Sequence, residues 1–357
     1  MDYEKELNQL LSIVIKEGAS DLHLSVDRRP TIRVSGQLIP LSTKDELRAE
    51  DTAGFLKTML HGEKFNTFLS AQEIDFAHTF LDGERGGARF RANAFFQRGY
   101  IGIALRFVPK QVKTIKELNL PSILETFIHK KQGFFLVVGP VGHGKSTTLA
   151  SLINLINKER PEHIITIEDP IEYLFEEDKS IIDQREVRTD TKDFPSALRS
   201  MFRQDVNIAM IGEMRSPMTM STAVTAAETG HLIFSTLHTN NAAQTIDRII
   251  DSFPPTQQNQ IKVQLSASLL GIFSQRLIPR ISGGLIPAYE LLINNHAVGN
   301  LIREGRTHEI NIVIETSSNE GMINMNHSLA ELVSKGEISS ESAYTHSFNP
   351  RGLEKLL

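Results

Sequence analysis

Gly139-Pro140-Val141-Gly142-His143-Gly144-Lys145-Ser146 fits the pattern G-x-x-x-x-G-K-[ST]. Glycines let a backbone fold tightly enough to aim successive N–H groups at phosphate oxygens, and a helix starting behind them adds the positive end of its dipole. In such a loop Lys145 holds the β- and γ-phosphates and the Ser146 hydroxyl ligates Mg²⁺, so Gly139 through Thr147 is read as the cradle of ATP. His143 is an unusual residue for the loop, and the sequence assigns it no role of its own.

Phosphoryl transfer also needs carboxylates that orient water and hold the metal's water shell. Two apolar runs end in acids: Thr166-Ile167-Glu168-Asp169-Pro170 and Ile208-Ala209-Met210-Ile211-Gly212-Glu213. Ligands of parallel α/β sheets bind at the carboxyl ends of strands, which points Glu168 at the phosphates. A third run, Leu232 to Leu237, is followed by His238, placed either as a γ-phosphate sensor or as an ordinary structural histidine. Further upstream, Arg89 to Phe95 and Ile101 to Phe107 alternate around Arg98-Gly99. A two-residue turn there sets Arg91 directly opposite Arg106. Like charges so placed destabilise a sheet unless an anion neutralises them; that anion is a nucleotide phosphate, or the two are solvated or paired with nearby acids.

The elements that position these residues are legible in the periodicity. Phe134 to Val138 reads as the strand before the glycine loop, and Thr147 to Ile156 as the helix after it. Further short apolar runs at His163 to Ile167, Asn207 to Ile211 and Leu232 to Ser235 alternate with helical segments, the pattern of an α/β domain with a mostly parallel sheet. From about Ile261 onward the segments read as helical. The first 107 residues read differently. Leu7, Leu10, Leu11, Val14 and Ile15 mark a helix face stopped at Gly18, Leu22 to Val26 and Ile32 to Val34 pair as strands before a Ser35-Gly36 turn, and a helical segment around Asp45 to Leu60 follows. This is a small α+β domain, residues 1–108. A linker at 109–116 then leads into an ATPase domain over 117–357.

Composition bounds the function. The 357 residues suffice for two domains. With 38 Lys and Arg against 43 Asp and Glu, the net charge is −5, so no nucleic-acid partner is expected. Zero cysteines exclude disulfides, a Cys-ligated zinc and a thiol nucleophile. No apolar run approaches the ~18 residues of a spanning helix, and the acidic start Met1-Asp2-Tyr3-Glu4 is unlike a signal peptide, which reads as a cytoplasmic protein.

Several segments together resemble the type IV pilus retraction ATPases, the PilT-type twitching-motility motors of the secretion and pilus-assembly ATPase superfamily. Gly18 to Leu24 (GASDLHL) resembles their opening signature, Gly139 to Ser146 their Walker A loop, and Thr166 to Glu172 (TIEDPIE) their Asp box. Ile211-Gly212-Glu213-Met214-Arg215 is similar to their atypical Walker B motif, and Gly230 to Thr239 to their His box. The resemblance implies a PAS-like first domain joined to a RecA-like ATPase domain in a cytoplasmic homo-hexamer at the inner face of the membrane. The hexamer would act on an inner-membrane pilus platform protein, its sole membrane association, and a paralogous retraction ATPase is a second partner. It also implies Glu168 as general base, Glu213 as a holder of Mg²⁺ through water, Arg91 and Arg106 as arginines that reach the nucleotide, and His238 near the γ-phosphate, with His231 in the same box. Asp205-Val206-Asn207 stands where the family usually has D-P-D, Ser216 where it often has aspartate, and Gly299 in AVGNLIRE where its retraction signature has arginine. The alternatives are an accessory retraction ATPase dependent on a partner motor, a DNA-directed RecA-like ATPase, and a nucleotide-binding regulator without turnover.

Overall fold

The computed structural model describes residues 2–34, 36–80, 88–108 and 111–357. The chain divides into two compact units, Met1–Gln111 with Glu172–Leu174, and Val112–Ile171 with Phe175–Leu357. Pro109 and Lys110, where the expected linker begins, and Ser35 of the expected turn lie outside the described residues.

The first unit runs α1 (Tyr3–Lys16), β1 (Asp21–Leu24), β2 (Thr31–Val34), β3 (Gln37–Pro40), α2 (Ala49–Met59), α3 (Glu63–Ala71), β4 (Glu73–Phe80), β5 (Ala88–Gln97) and β6 (Tyr100–Val108). Leu7, Leu10, Leu11 and Val14 bury one face of α1, and Gly18, at φ +61°, takes the left-handed conformation that ends the helix. Six antiparallel strands lie in the order β3-β2-β1-β6-β5-β4. The β5–β6 hairpin closes through Arg98 and Gly99, both at positive φ, and its register sets Arg91 opposite Arg106 as expected. Strands β3 and β4 and helix α3 go beyond the sequence reading. In β3 all four residues are exposed, leaving no apolar alternation to detect.

The second unit contains α4 (Glu125–Ile128), β7 (Gly133–Val138), α5 (Lys145–Glu159), β8 (His163–Glu168), β9 (Ile181–Glu186), α6 (Phe194–Met201), β10 (Ile208–Ile211), α7 (Pro217–Glu228), β11 (Leu232–Leu237), α8 (Ala242–Asp251) and α9 (Pro255–Ser268). It continues with β12 (Leu269–Pro279), β13 (Leu285–Ile293), α10 (His296–Glu304), α11 (Ile310–Thr316), α12 (Met325–Ser334), α13 (Ser340–His346) and α14 (Pro350–Glu354). The seven-stranded sheet has the order β13-β12-β7-β11-β10-β8-β9, parallel except for β13. Strand β7 is buried on both faces. Phe134, Leu136 and Val138 pack into a core shared with α6 to α9, while Phe135 and Val137 pack into the opposite core with α5. A run buried on both sides needs no polar alternation, which is why its sequence is continuously apolar.

One expectation fails here. The chain beyond Ile261 is not all helical: β12 and β13 pair antiparallel over nine registered positions. Strand β12, LLGIFSQRLIP, is buried without a break from Gly271 to Gln275, so it lacks the period-two signal that distinguishes a strand from a buried helix.

Candidate functional site

The glycine loop leaves β7 at Gly139 and enters α5 at Lys145. Its shape demands glycine twice over. Gly139, Gly142 and Gly144 sit at φ +146°, +80° and +79°, and a Cβ on Gly139 would lie 2.3 Å from the Gln275 carbonyl oxygen. Lys145 is buried; its Nζ donates to the Gly139 and Pro140 carbonyls at 2.9 and 2.8 Å, so the ammonium lies folded over the loop. Ser146 and Thr147 follow in the first turn of α5, whose leading N–H groups have no partners within the helix.

The acids stand where strand ends were expected to place them. Glu168 closes β8, nearly fully buried, with Oε1 accepting from Thr166 Oγ1 at 2.7 Å and from Gln184 Nε2 at 3.4 Å. Parallel pairing of β8 with β10 puts Gly212 beside it, close enough that a Cβ on Gly212 would lie 3.4 Å from the Glu168 Cα. Glu213 then turns to His238: Nε2 of the histidine lies 3.4 Å from Glu213 Oε2, and its Nδ1 lies 3.2 Å from Lys145 Nζ. An ammonium can only donate, so Nδ1 accepts and the ring proton sits on Nε2, facing the carboxylate. Lys145, His238 and Glu213 thus form one chain from the loop to the end of β10. Arg215 Nη2 holds the other oxygen of Glu213 at 2.5 Å, and this bond raises the arginine's pKa above its ordinary value. His231 lies apart from this chain, its Nδ1 3.1 Å from the Ala226 carbonyl.

In the first unit Arg91 and Arg106 are both exposed. The opposed positive charges do not call for an external anion at Arg106, because Asp21 on β1 supplies one: Arg106 Nε donates to its Oδ1 at 2.9 Å. Burial pushes the Asp21 carboxyl up, but hydrogen bonds from Ser20 and Arg106 outweigh it and hold the group below its ordinary value. The sequence reading left pairing with an acid open for both arginines; Arg106 is so paired.

Other residues escaped the sequence reading. Gln275 reaches from β12 to the loop, accepting from Thr148 Oγ1 at 2.6 Å and donating to the His143 carbonyl at 2.9 Å, and nothing in the sequence links positions so far apart. Thr166, by contrast, sits two positions before Glu168 and therefore on its face of β8, a signal that was readable. The departures from the family's motifs have local explanations. Ser216 caps α7 by accepting from the Thr219 N–H, a place where serine and aspartate serve almost equally. Asn207 Oδ1 accepts from the His163 N–H at 2.8 Å. Gly299 is buried in α10, facing the Ser266 carbonyl.

The donors suit Mg²⁺, which favours hydroxyl and carboxylate oxygens and keeps several waters. Among the described residues no three His, Cys, Asp or Glu side chains converge on a point, so a cation here would draw on phosphate oxygens and water besides Ser146 and Glu213.

A glycine loop on a central parallel strand, with acids closing two other strands and β11 set between them and the loop strand, defines a P-loop ATPase of RecA-like build. A model of the type II/IV secretion system proteins matches residues 103–340, and the chain belongs to that family. It is 40% identical over 338 residues to the type IV pilus retractation ATPase PilT of Pseudomonas aeruginosa, covering 95% of this chain and 97% of that protein. To the type IV pilus ATPase PilU of the same organism it is 38% identical over 353 residues, 99% and 91% of the two chains. Among solved structures, the pilus retraction motor PilT with bound ADP superposes with a TM-score of 0.90 at 44% identity over 98% of each chain. DotB of Legionella pneumophila, with a TM-score of 0.79 at 24% identity, shares the fold.

Proposed function

We propose that this chain is an ATP-hydrolysing motor of type IV pilus retraction, working as a homo-hexamer against an inner-membrane platform protein and open to assembly with a paralogous retraction ATPase. The observation that carries this reading is likeness to pilus retraction ATPases over nearly the whole chain rather than over the ATPase unit alone. Among the described residues no helix is long and apolar enough to cross a membrane; in the proposed reading the chain engages the membrane through the platform protein, from the cytoplasmic side.

The loop N–H groups and the α5 dipole bind the phosphates of ATP. Lys145 moves from the Gly139 and Pro140 carbonyls to the β- and γ-phosphates, exchanging two neutral acceptors for anionic ones. Glu168 accepts the proton of the attacking water, its carboxylate aimed by Thr166. His238 spans loop and acid, so it registers whether Lys145 has left it for the γ-phosphate. Mg²⁺, held by Ser146 and through water by Glu213, would neutralise charge on the β- and γ-oxygens. Arg91 and Arg106 supply further positive charge, Arg106 by exchanging Asp21 for phosphate.

Phosphate release by the purified protein tests the enzyme. Lys145→Ala is expected to abolish it, and Glu168→Gln to retain ATP binding while losing on the order of 100-fold in turnover. Unchanged turnover in Glu168→Gln would remove Glu168 as the base. Retraction itself is tested by expressing the chain in a twitching strain that lacks its own motor; restored retraction is expected, and restoration only alongside a second ATPase would make it an accessory motor.

A further inference from the structure

The edge of β12 beyond the loop strand holds an arrangement that the motif does not require. Strand β7 pairs with β12 as far as Val138 opposite Ser274, and then turns away into the glycine loop. Past that point β12 keeps β13 on one side, while the alternate backbone N–H groups that point away from β13 face an edge where, among the described residues, no strand pairs with them. At Leu277 the vacancy is filled by a side chain: its N–H donates to Nδ1 of His143 at 2.9 Å. One residue pair earlier, Gln275 donates through Nε2 to the His143 carbonyl and accepts from Thr148, while its own carbonyl lies against Gly139. The loop is therefore seated on β12 at both its beginning and its tip, and the seat at the tip requires a side-chain acceptor at position 143.

We propose that His143 is a positioning residue of the phosphate loop: its unprotonated Nδ1 takes the place of the missing strand on the Leu277 N–H and fixes the loop tip in the geometry that receives a nucleotide's phosphates. The inference rests on the loop being the ATP site. It follows that the ring is neutral with its proton on Nε2, since a protonated imidazole has no acceptor to offer. The charged and titratable groups facing it are all cationic or neutral: Arg276 on β12, His346 on α13 and Lys145 on α5. Burial first, and then these three neighbours, hold His143 below its ordinary value of 6.5, which keeps the acceptor available near neutral pH.

The test uses the full chain, a fluorescent ADP analogue and steady-state ATPase kinetics. His143→Ala should weaken ADP binding and raise KM for ATP by about fivefold while kcat falls less than about twofold, the size expected for one hydrogen bond. His143→Asn, whose Oδ1 can accept from Leu277, should restore both constants to within about twofold of the parent. Lowering the pH from about 7.5 to about 5.5 should weaken ADP binding by the parent more than by His143→Asn, because only the parent loses its acceptor. Thermal melting without nucleotide confirms that each variant is folded at the assay temperature; if alanine does not fold, the comparison of asparagine with the parent across pH decides. Equal affinity in alanine and parent, asparagine no better than alanine, or parallel pH dependence of parent and asparagine would each overturn the proposal alone. A parent protein that binds no ADP would overturn the ATP-site reading and this proposal with it.

Discussion

Glu290 on β13 is almost wholly buried at the start of α8, where its Oε1 accepts the Ala242 N–H at 2.9 Å. Burial pushes its pKa up from 4.5 to about 7, with the helix N–H opposing. The sign follows from the proton count. Below pH 4.5 the group is neutral in the folded and unfolded chain alike; as pH rises toward 7 the unfolded chain sheds its proton first, and the stability that neutral Glu290 contributes is lost by the time pH passes about 7. Glu290→Gln keeps an oxygen for Ala242 and never ionises. It should match the parent in thermal melts near pH 4.5 and exceed it by up to roughly 3 kcal/mol near pH 8; equal melting at both would show that Glu290 carries no such load. At this scale the sequence was legible where function fixes a local pattern. Lys145, Glu168, Glu213 and His238 each follow from a motif or a strand end, whereas Glu290, Gln275 and the acceptor role of His143 depend on contacts between elements remote in sequence.

Between elements the contrast has a physical cause. Strands β7, β8, β10 and β11 announce themselves because each is a short apolar run ending in a residue that changes the chemistry: glycine, glutamate or histidine. Strands β12 and β13 are also mostly buried but lack such endings, so their burial pattern is compatible with helix. Helix α10, by contrast, lies where the sequence reads as helical and also stands in a motif. It carries Gly299 in its interior, where a glycine costs about 1 kcal/mol against alanine. A Cβ there would meet the Ser266 carbonyl at 3.5 Å, an ordinary contact. Gly299→Ala should therefore stabilise the protein, raising the melting midpoint by roughly 2 °C. A lowered midpoint would mean that the α9–α10 packing tolerates no side chain at this position, and that an arginine here could not point inward.

For the whole molecule, the sequence placed the phosphate loop and the two arginines in different domains, and the structure assigns them to different compact units. An arginine carried by a separate unit can serve the loop of its own chain or that of a neighbouring subunit, and the two cases differ in what mixing does. Take Lys145→Ala, which keeps its arginines, and Arg91→Ala, which keeps its loop; each is expected to be nearly inactive alone. In a ring closed by head-to-tail contacts each subunit meets its neighbour through a different surface, so an arginine of one chain can be presented to the loop of another. If the arginine acts across subunits, random equal mixing gives a working pair wherever an intact loop meets an intact arginine, about one quarter of all sites. ATPase activity should then rise to about that fraction of the parent's when the two inactive proteins are combined and allowed to exchange subunits. If Arg91 serves its own chain, no mixture recovers activity, because every subunit lacks one of the two. Full activity of Arg91→Ala by itself would make the arginine a solvated surface residue, leaving Arg106, already held by Asp21, as the remaining member of the pair.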